Sequence, residues 1–173
     1  MKTIKIMDKN DYQGCIKTYK REAVRAIIIK DNQLAMVKSK KFNECKFPGG
    51  GMEDKETHAS CLIREVNEET GLTVIPSSIK PYGHIKEKRT SYLDHTEVFE
   101  MDSYYYYAKV ESNIGSTHLD QYEQNYGYEL IWLSIDEAII TNERAYQNYI
   151  GIATWIEREL TVLKAIKEEG LMS

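Results

Sequence analysis

Short apolar runs in the first half of the chain predict two neighbouring strands, at residues 23–29 and 34–37. Asp31 and Asn32 lie between these runs and tolerate the backbone geometry of a tight turn, so we expect the strands to form a hairpin. Further on, a proline is followed by three glycines at residues 48–51, where no regular element can continue.

The segment after the glycines has the period of a helix. Between about Thr57 and Thr70, apolar residues recur at i, i+3, i+4 and i+7, and Gly71 favours a left-handed helix end. The apolar face of this predicted helix consists of Ala59, Leu62, Ile63 and Val66.

The second half of the chain predicts more strands and then helices. Strands are expected at residues 79–85, 102–110 and 128–133, and the capping-box spacing from Ser134 to Glu137 predicts a short helix through residues 138–140. A long amphipathic helix is expected from about Arg144 to Glu169. The pattern predicts an α+β fold in one domain spanning residues 1–173, with a core at about 21–142.

Composition excludes several classes of protein. The 173 residues are 42% hydrophobic and 29% charged, which is typical of a globular chain. The net charge of −4 argues against a nucleic-acid coat, and the longest uncharged stretch, residues 145–156, is too short to span a bilayer. Three cysteines without a CxxC spacing indicate a reducing compartment, so we expect a cytoplasmic protein with no membrane or nucleic-acid partner.

The strongest chemical signal is a stripe of acids on the predicted helix. At 100° per residue, Glu65, Glu68 and Glu69 fall within about 100° of one another, on the flank of the apolar face. Like charges at this spacing repel, and three converging carboxylates suit a hard divalent cation such as Mg²⁺. A solvated charged face is the alternative interpretation if the stripe is taken alone.

The surrounding residues favour the metal interpretation. Written out, the segment is Gly50-x5-Glu56-x7-Arg64-Glu65-Val66-x-Glu68-Glu69-x-Gly71-Leu72. It resembles the box of the Nudix hydrolase family, G-x5-E-x7-R-E-U-x-E-E-x-G-U with U aliphatic, at every specified position. A chance match has a probability of about 10⁻⁹ per starting position, so we treat the resemblance as specific. It implies a Nudix-type α/β/α sandwich with a mixed β-sheet and the long C-terminal helix.

The resemblance also implies roles for the residues of the box. Nudix enzymes use Mg²⁺, or Mn²⁺ in its place, and a water molecule to cleave a nucleoside diphosphate linked to another group. Glu68, Glu69 and the carbonyl of Gly49 would then hold the metal, and Glu65 would be a further ligand or the catalytic base. Arg64 would pair with Glu56 or Glu65 and orient the carboxylate.

Candidates outside the box are less sharply defined. An additional acidic ligand is expected beyond it, and we favour Glu123 over Glu129 because Glu129 should fall in a strand. A basic loop over residues 38–46 and the first strand offer candidates for binding substrate phosphates. These substrate-binding candidates are Arg25, Lys38 and Lys46. Aromatic candidates for stacking a base are Phe47, Tyr126 and Tyr128, with packing as the alternative role.

The prediction is therefore a metal-dependent pyrophosphohydrolase acting on a small nucleotide. The alternative is a Nudix-fold nucleotide-binding or sensor module without catalysis. The resemblance also favours a homodimer. The sequence leaves open which nucleotide is the substrate, which glutamate is the base, and what the first twenty residues do.

Overall fold

The structure is a computed structural model that describes residues 1–150 and 153–172, and of residue 122 the backbone alone. Its strands are β1 (Lys2–Asp8), β2 (Lys17–Ile27), β3 (Ile29–Lys30), β4 (Gln33–Lys38), β5 (Cys45–Lys46), β6 (Gly49–Gly51), β7 (Leu72–Val74), β8 (Lys80–Thr90), β9 (Glu97–Tyr107), β10 (Val110–Ile114) and β11 (Glu129–Leu133). Its helices are α1 (His58–Thr70), α2 (Gln121–Tyr126), α3 (Ile135–Gln147) and α4 (Thr154–Glu168).

The strands form a mixed central sheet and two smaller ones. The five-stranded sheet has the order β1-β8-β9-β2-β6, in which β1 pairs parallel to β8 and β2 parallel to β9, whereas the other two pairs are antiparallel. A second sheet has the order β11-β4-β3, with β5 paired to β4, and β10 pairs with β7. The short strand β6, made only of glycines, is thereby an edge strand beside β2.

Side chains of β2 alternate between two hydrophobic cores, as a pleated strand requires. Val24 and Ala26 pack in a cluster with Leu62 and Val66 of α1. Ile27 belongs to the other cluster, which contains buried residues of α3 and α4. Helices therefore cover both sides of the strands, and the structure confirms the expected α/β/α sandwich.

Several local predictions are confirmed. α1 begins after Thr57, whose side chain accepts a hydrogen bond from the backbone N–H of Ser60, and it ends at Gly71 with φ of 71°. Asp31 and Asn32 both have positive φ, as the predicted hairpin turn requires. The capping box at Ser134 is also present, although α3 runs to Gln147 and not only to residue 140.

The prediction of one helix from about Arg144 to Glu169 is wrong. α3 already includes Arg144 and ends at Gln147, and the long C-terminal helix begins only at Thr154. Residues 151 and 152, which the predicted helix crossed, lie outside the described residues. Both helices bury apolar residues in the same core, so apolar residues recur at helical spacing in each of them. This periodicity does not reveal where one helix ends and the next begins.

The first twenty residues are part of the sheet. β1 forms an edge strand parallel to β8, and β2 begins at Lys17. These segments were not predicted as strands, because most of their side chains are exposed and the run is rich in lysine. In the described part of the chain, no helix is both long and apolar enough to cross a membrane.

Candidate active site

The packing of α1 aims its acids away from the core. Cys61, Leu62 and Val66 are fully buried against the sheet, so the flank that carries Glu65 and Glu68 turns towards an open cavity. We call this cavity, which Glu65 and Glu68 line, the acid cavity. It has a volume of about 1160 Å³ and lies between α1, the loop before α1 and residues 19–22 of β2. The helix therefore places the acidic stripe at a cleft large enough for a nucleotide.

The glycines of β6 allow the backbone to lie against both β2 and α1. Gly49 has φ of 141°, and a Cβ there would lie 2.1 Å from the carbonyl oxygen of Val24. A Cβ on Gly50 would lie 2.4 Å from Oε2 of Glu65. A side chain at either position would displace the strand or the carboxylate, so glycine is required by close approach.

Arg64 holds three carboxylates of the box together. Its guanidinium donates to both carboxylate oxygens of Glu56, at 2.7 and 2.9 Å, to Oε1 of Glu65 at 2.8 Å and to Oε2 of Glu68 at 3.0 Å. It also donates to the carbonyl of Gly51 at 3.2 Å. The hydrogen bonds from Arg64 lower the pKa of Glu56 to about 2. Arg64 thus orients the acids of the site and neutralises part of their mutual repulsion.

Glu69 lies behind the cavity and is 1% exposed. Its carboxylate accepts hydrogen bonds from Nζ of Lys46 at 2.6 Å and from the backbone N–H of Gly49 at 2.8 Å. Burial raises its pKa to about 7 against the opposing effect of Lys46, and the charge of Glu123 raises it further. Burial also raises the pKa of Glu65. For both carboxylates, the loss of hydration outweighs the effect of the cationic partner.

A second cavity opens beside the acid cavity, and we call it the aromatic pocket. It has a volume of about 310 Å³ and is lined by aromatic side chains together with charged ones. The aromatic members are Phe42, Phe99, Tyr126, Tyr128 and Trp155. Phe42 packs edge-on against Tyr126 and Trp155, with ring centroids 5.2 and 5.7 Å apart. Arg21 and Gly50 line both cavities, so the two are adjacent.

The C-terminal helix α4 lines one side of the aromatic pocket and contacts the backbone of Phe47, just before β6. Glu159, which is fully buried, accepts a hydrogen bond from the backbone N–H of Phe47 at 3.0 Å and lies 3.6 Å from Nε of Arg25. Arg25 in turn donates to the carbonyl of Gly49 at 3.2 Å. On the same helix, Arg158 pairs with Glu87 at 2.6 Å. Buried charges of α4 are thus matched by charges of the sheet beside the site.

The donor set of the site fits a hard divalent cation. Glu65, Glu68 and Glu123 line one cavity, and every one of them offers only carboxylate oxygen. Burial raises the pKa values of Glu65 and Glu69, and a bound cation would stabilise both groups in their ionised form. In the described part of the chain, no three acidic, histidine or cysteine side chains already converge on one point. Arg64 and Lys46 occupy carboxylate oxygens that a cation would use.

Most of the residues predicted for the site are brought together. Glu56, Arg64, Glu65, Glu68 and Glu123 line the acid cavity. Arg25, Lys46 and Gly49 line the aromatic pocket, and Glu69 is buried between Lys46 and Gly49.

Three candidates lie elsewhere. Lys38 lines neither cavity and is paired in register with Cys45 and Glu129. Glu129 is exposed and forms an ion pair with Lys40 at 3.1 Å, so the structure places Glu123, and not Glu129, beside the box. Phe47 is fully buried against Tyr105, which excludes it from stacking on a ligand in this conformation.

Several residues of the two cavities were not predicted. Arg21 lies four residues before Arg25 on β2, so the alternation of side chains places both on the same face of the strand. The sequence could therefore have predicted Arg21 once Arg25 was chosen. Glu44, Trp155 and Glu159 reach the site through tertiary packing across long sequence separations, as the bond from Phe47 to Glu159 illustrates. No local pattern marks them.

Known proteins resemble the chain in sequence and in fold. A family model described as the NUDIX domain matches residues 19–156. The ADP-ribose pyrophosphatase of Methanocaldococcus jannaschii is 39% identical over 74 residues, which cover 41% of this chain and 43% of that protein. The chain therefore matches less than half the length of this curated relative.

Two solved structures share the fold. A NUDIX hydrolase from Nitrosomonas europaea superposes with a TM-score of 0.53 at 23% identity, covering 72% of this chain and 79% of that one. A MutT NUDIX hydrolase from Burkholderia pseudomallei superposes with a TM-score of 0.50 at 18% identity, covering 68% of this chain and 85% of that one. At these identities the likeness concerns the fold.

Proposed function

The chain belongs to the Nudix family, and on that premise we propose that it is a pyrophosphohydrolase that cleaves a nucleoside diphosphate linked to another group. In the proposed reaction, water adds to one phosphorus atom of the diphosphate, and the bond from that phosphorus to the bridging oxygen breaks. The observation that carries the proposal is that four residues of the box, Glu56, Arg64, Glu65 and Glu68, line one nucleotide-sized cavity.

We propose that Mg²⁺, with Mn²⁺ as a substitute, is held by Glu68, Glu69 and Glu123, with the carbonyl of Gly49 as a further ligand and with Glu65 as either an additional ligand or the catalytic base. When bound, the cation would neutralise charge on the diphosphate and lower the pKa of a bound water. The carbonyl of Gly49 now accepts from Arg25, and Glu69 from Lys46. The side chains of Arg25 and Lys46 would therefore release these protein oxygens to the metal and bind substrate phosphates instead.

Glu65 is the strongest candidate for the catalytic base. Its carboxylate lines the acid cavity beside Glu68, as a general base for the attacking water must. Arg64 donates to Oε1 of Glu65 at 2.8 Å and fixes its orientation, and Glu56 in turn holds Arg64 through two hydrogen bonds. Arg64 and Glu56 are thus positioning residues in this proposal.

The proposal is tested by measuring the release of phosphate, pyrophosphate or nucleoside monophosphate in the presence of Mg²⁺. Suitable substrates are nucleoside triphosphates and their oxidised forms, ADP-ribose, nucleotide sugars and dinucleoside polyphosphates. Glu68→Gln should abolish most turnover, whereas Glu168→Gln, on the exposed face of α4, should retain it. Equal, background rates for wild type and Glu68→Gln on every substrate would reject catalysis and favour a nucleotide-binding module.

The stability of the Glu68→Gln variant is part of the same test. The Glu68 side chain is 39% exposed, and its loss removes one bond from Arg64 together with the repulsion from Glu65. We therefore expect the free energy of unfolding to change by about 1 kcal/mol or less. A variant that unfolds would show that the acidic stripe is needed for the fold, and its lost activity would then say nothing of catalysis.

Two further elements of the proposal are a cytoplasmic location and a homodimer. The first rests on three cysteines that are all free thiols, and cell fractionation tests it. The second rests on the family resemblance, and light scattering coupled to gel filtration tests it.

A further inference from the structure

Three residues that line the aromatic pocket each contain a buried polar side-chain atom without a hydrogen-bond partner. The atoms are Oε2 of Glu44, Nε of Arg25 and Nε of Arg89, out of eight such side-chain atoms in the described part of the chain. Buried polar atoms in native proteins are nearly always paired, because an unpaired one loses its hydration without compensation. Three of them on one small cavity indicate a ligand that supplies both donors and acceptors.

Glu44 is the acceptor among the three. It is 2% exposed, and burial raises its pKa, while the neighbouring side chains of Trp155 and Ser39 oppose that rise. Its Oε2 is left without a hydrogen-bond partner. A carboxylate accepts hydrogen bonds and donates none when ionised, so Oε2 calls for an N–H or O–H group.

Arg25 and Arg89 are the two donor residues among the three. Arg25 donates through Nη1 to Gly49, and its Nε faces Glu159 at 3.6 Å without a hydrogen bond. Arg89 donates through Nη1 to the carbonyl of Thr90, and its guanidinium lies 4.3 Å from the ring centroid of Phe99. The lining of the pocket thus combines aromatic side chains, one carboxylate and two guanidinium groups.

We propose that the aromatic pocket holds the base of the nucleotide substrate and that Glu44 makes it select guanine; this inference rests on the proposed hydrolysis of a nucleotide. Guanine carries adjacent N1–H and N2–H donors on one edge and the O6 and N7 acceptors on another. The first edge matches Glu44, and the second matches the guanidinium groups of Arg25 and Arg89. The aromatic walls suit the faces of a purine ring.

The other common bases match the pocket less well. Adenine and cytosine each place a ring nitrogen acceptor beside their amino group, and that lone pair would face the carboxylate of Glu44. Uracil has a single ring N–H between two carbonyl oxygens, both of which repel a carboxylate. Hypoxanthine keeps N1–H and O6 but lacks the 2-amino group, so it should bind with intermediate strength.

Binding of nucleoside monophosphates without divalent metal tests the base preference separately from catalysis. Trp155 lines the pocket and contacts Glu44, so its fluorescence reports occupancy. A Trp132→Phe background removes the other tryptophan, which packs in the cluster with α1. We expect GMP to bind about 10- to 100-fold more tightly than AMP, with IMP between them, as expected for one good bidentate contact.

Glu44→Gln provides the matched variant. A glutamine offers one acceptor and one donor, which fits the amino group and N1 of adenine, so the preference should reverse towards AMP. Glu168→Gln, outside the pocket, should bind as wild type does. If Glu44→Gln fails to fold, the GMP, IMP and AMP series on the wild-type chain still decides the proposal.

Each outcome separates this inference from the proposed function. Equal affinities for GMP and AMP, no fluorescence response to either, or an unchanged preference in Glu44→Gln would overturn the role of Glu44. In turnover assays, GTP against ATP and GDP-glucose against ADP-glucose provide pairs that differ only in the base. Hydrolysis of both members of a pair at equal rates would leave a hydrolase without the proposed selectivity. GMP-selective binding without hydrolysis of any substrate would instead reject the proposed function and keep the guanine pocket.

Discussion

Replacing Glu56 by glutamine tests whether Arg64 is held by charge. Glu56 accepts two hydrogen bonds from Arg64 and one from the backbone N–H of Glu53, and the bonds from Arg64 lower its pKa from 4.5 to about 2. At roughly 1.4 kcal/mol per pKa unit, a fully buried carboxylate would contribute about 3 kcal/mol. Glu56 is partly exposed, and solvent screening reduces the expected loss in Glu56→Gln to about 1 kcal/mol.

The difference in unfolding free energy between wild type and Glu56→Gln should depend on pH, in a direction set by the pKa shift of Glu56. Because folding lowers the pKa of Glu56, its contribution is complete above the unfolded pKa of 4.5 and is lost as the pH falls towards 2. The difference in unfolding free energy between wild type and Glu56→Gln should therefore shrink by roughly half or more between neutral pH and about pH 3.

Urea unfolding followed by tryptophan fluorescence measures this difference at each pH. A loss of about 1 kcal/mol corresponds to a drop of about 2–4 °C in melting temperature for a chain of this size. Glu53→Gln is the control, because its exposed side chain can change while its backbone N–H still reaches Glu56. A difference that stays constant from neutral to acid pH would refute the charge-based account of Arg64.

The remaining predictions concern the metal and the contacts behind the cavity. Mg²⁺ at about ten times its dissociation constant should raise the melting temperature by about 3–5 °C through mass action, and an unchanged curve would argue against a site formed without substrate. Lys46→Met leaves the buried Glu69 without its partner at 2.6 Å; because the pKa of Glu69 is already about 7, its carboxyl can take up a proton, so in urea titrations the unfolding free energy should fall by about 1 kcal/mol at neutral pH and by more at alkaline pH. Gly50→Ala places a Cβ 2.4 Å from Oε2 of Glu65; because the end of a side chain can shift, turnover should fall far more than melting temperature, and equal falls would contradict this.

Local sequence patterns predicted those elements whose structure is decided locally. The helix α1 followed from its apolar period, its cap at Thr57 and its end at Gly71, and the hairpin followed from Asp31 and Asn32. The acid stripe was also predictable, because a helical period fixes which side chains share a face. The structure accordingly places Glu65 and Glu68 on one cavity.

Features decided by packing between distant segments were not predictable in the same way. The break between α3 and α4 leaves the apolar period intact, so one helix was predicted where two exist. Lys38 was grouped with Lys46 because both are basic and near the glycines, but strand pairing carries it away from the cavities. Glu44 and Trp155 come together in the aromatic pocket only because α4 returns to the sheet.

The contacts of α4 have a consequence for the order in which the protein is made. Glu159 accepts a hydrogen bond from the N–H of Phe47, which lies 112 residues before it in the chain. Arg158 lies 71 residues after its partner Glu87. During synthesis the amino-terminal partners emerge first, and the buried charges of the sheet have no counter-charge until the last helix has left the ribosome. Nascent chains that lack α4 should therefore hold a hydrated, unfinished aromatic pocket, which is completed only after α4 has been synthesised and has docked on the sheet.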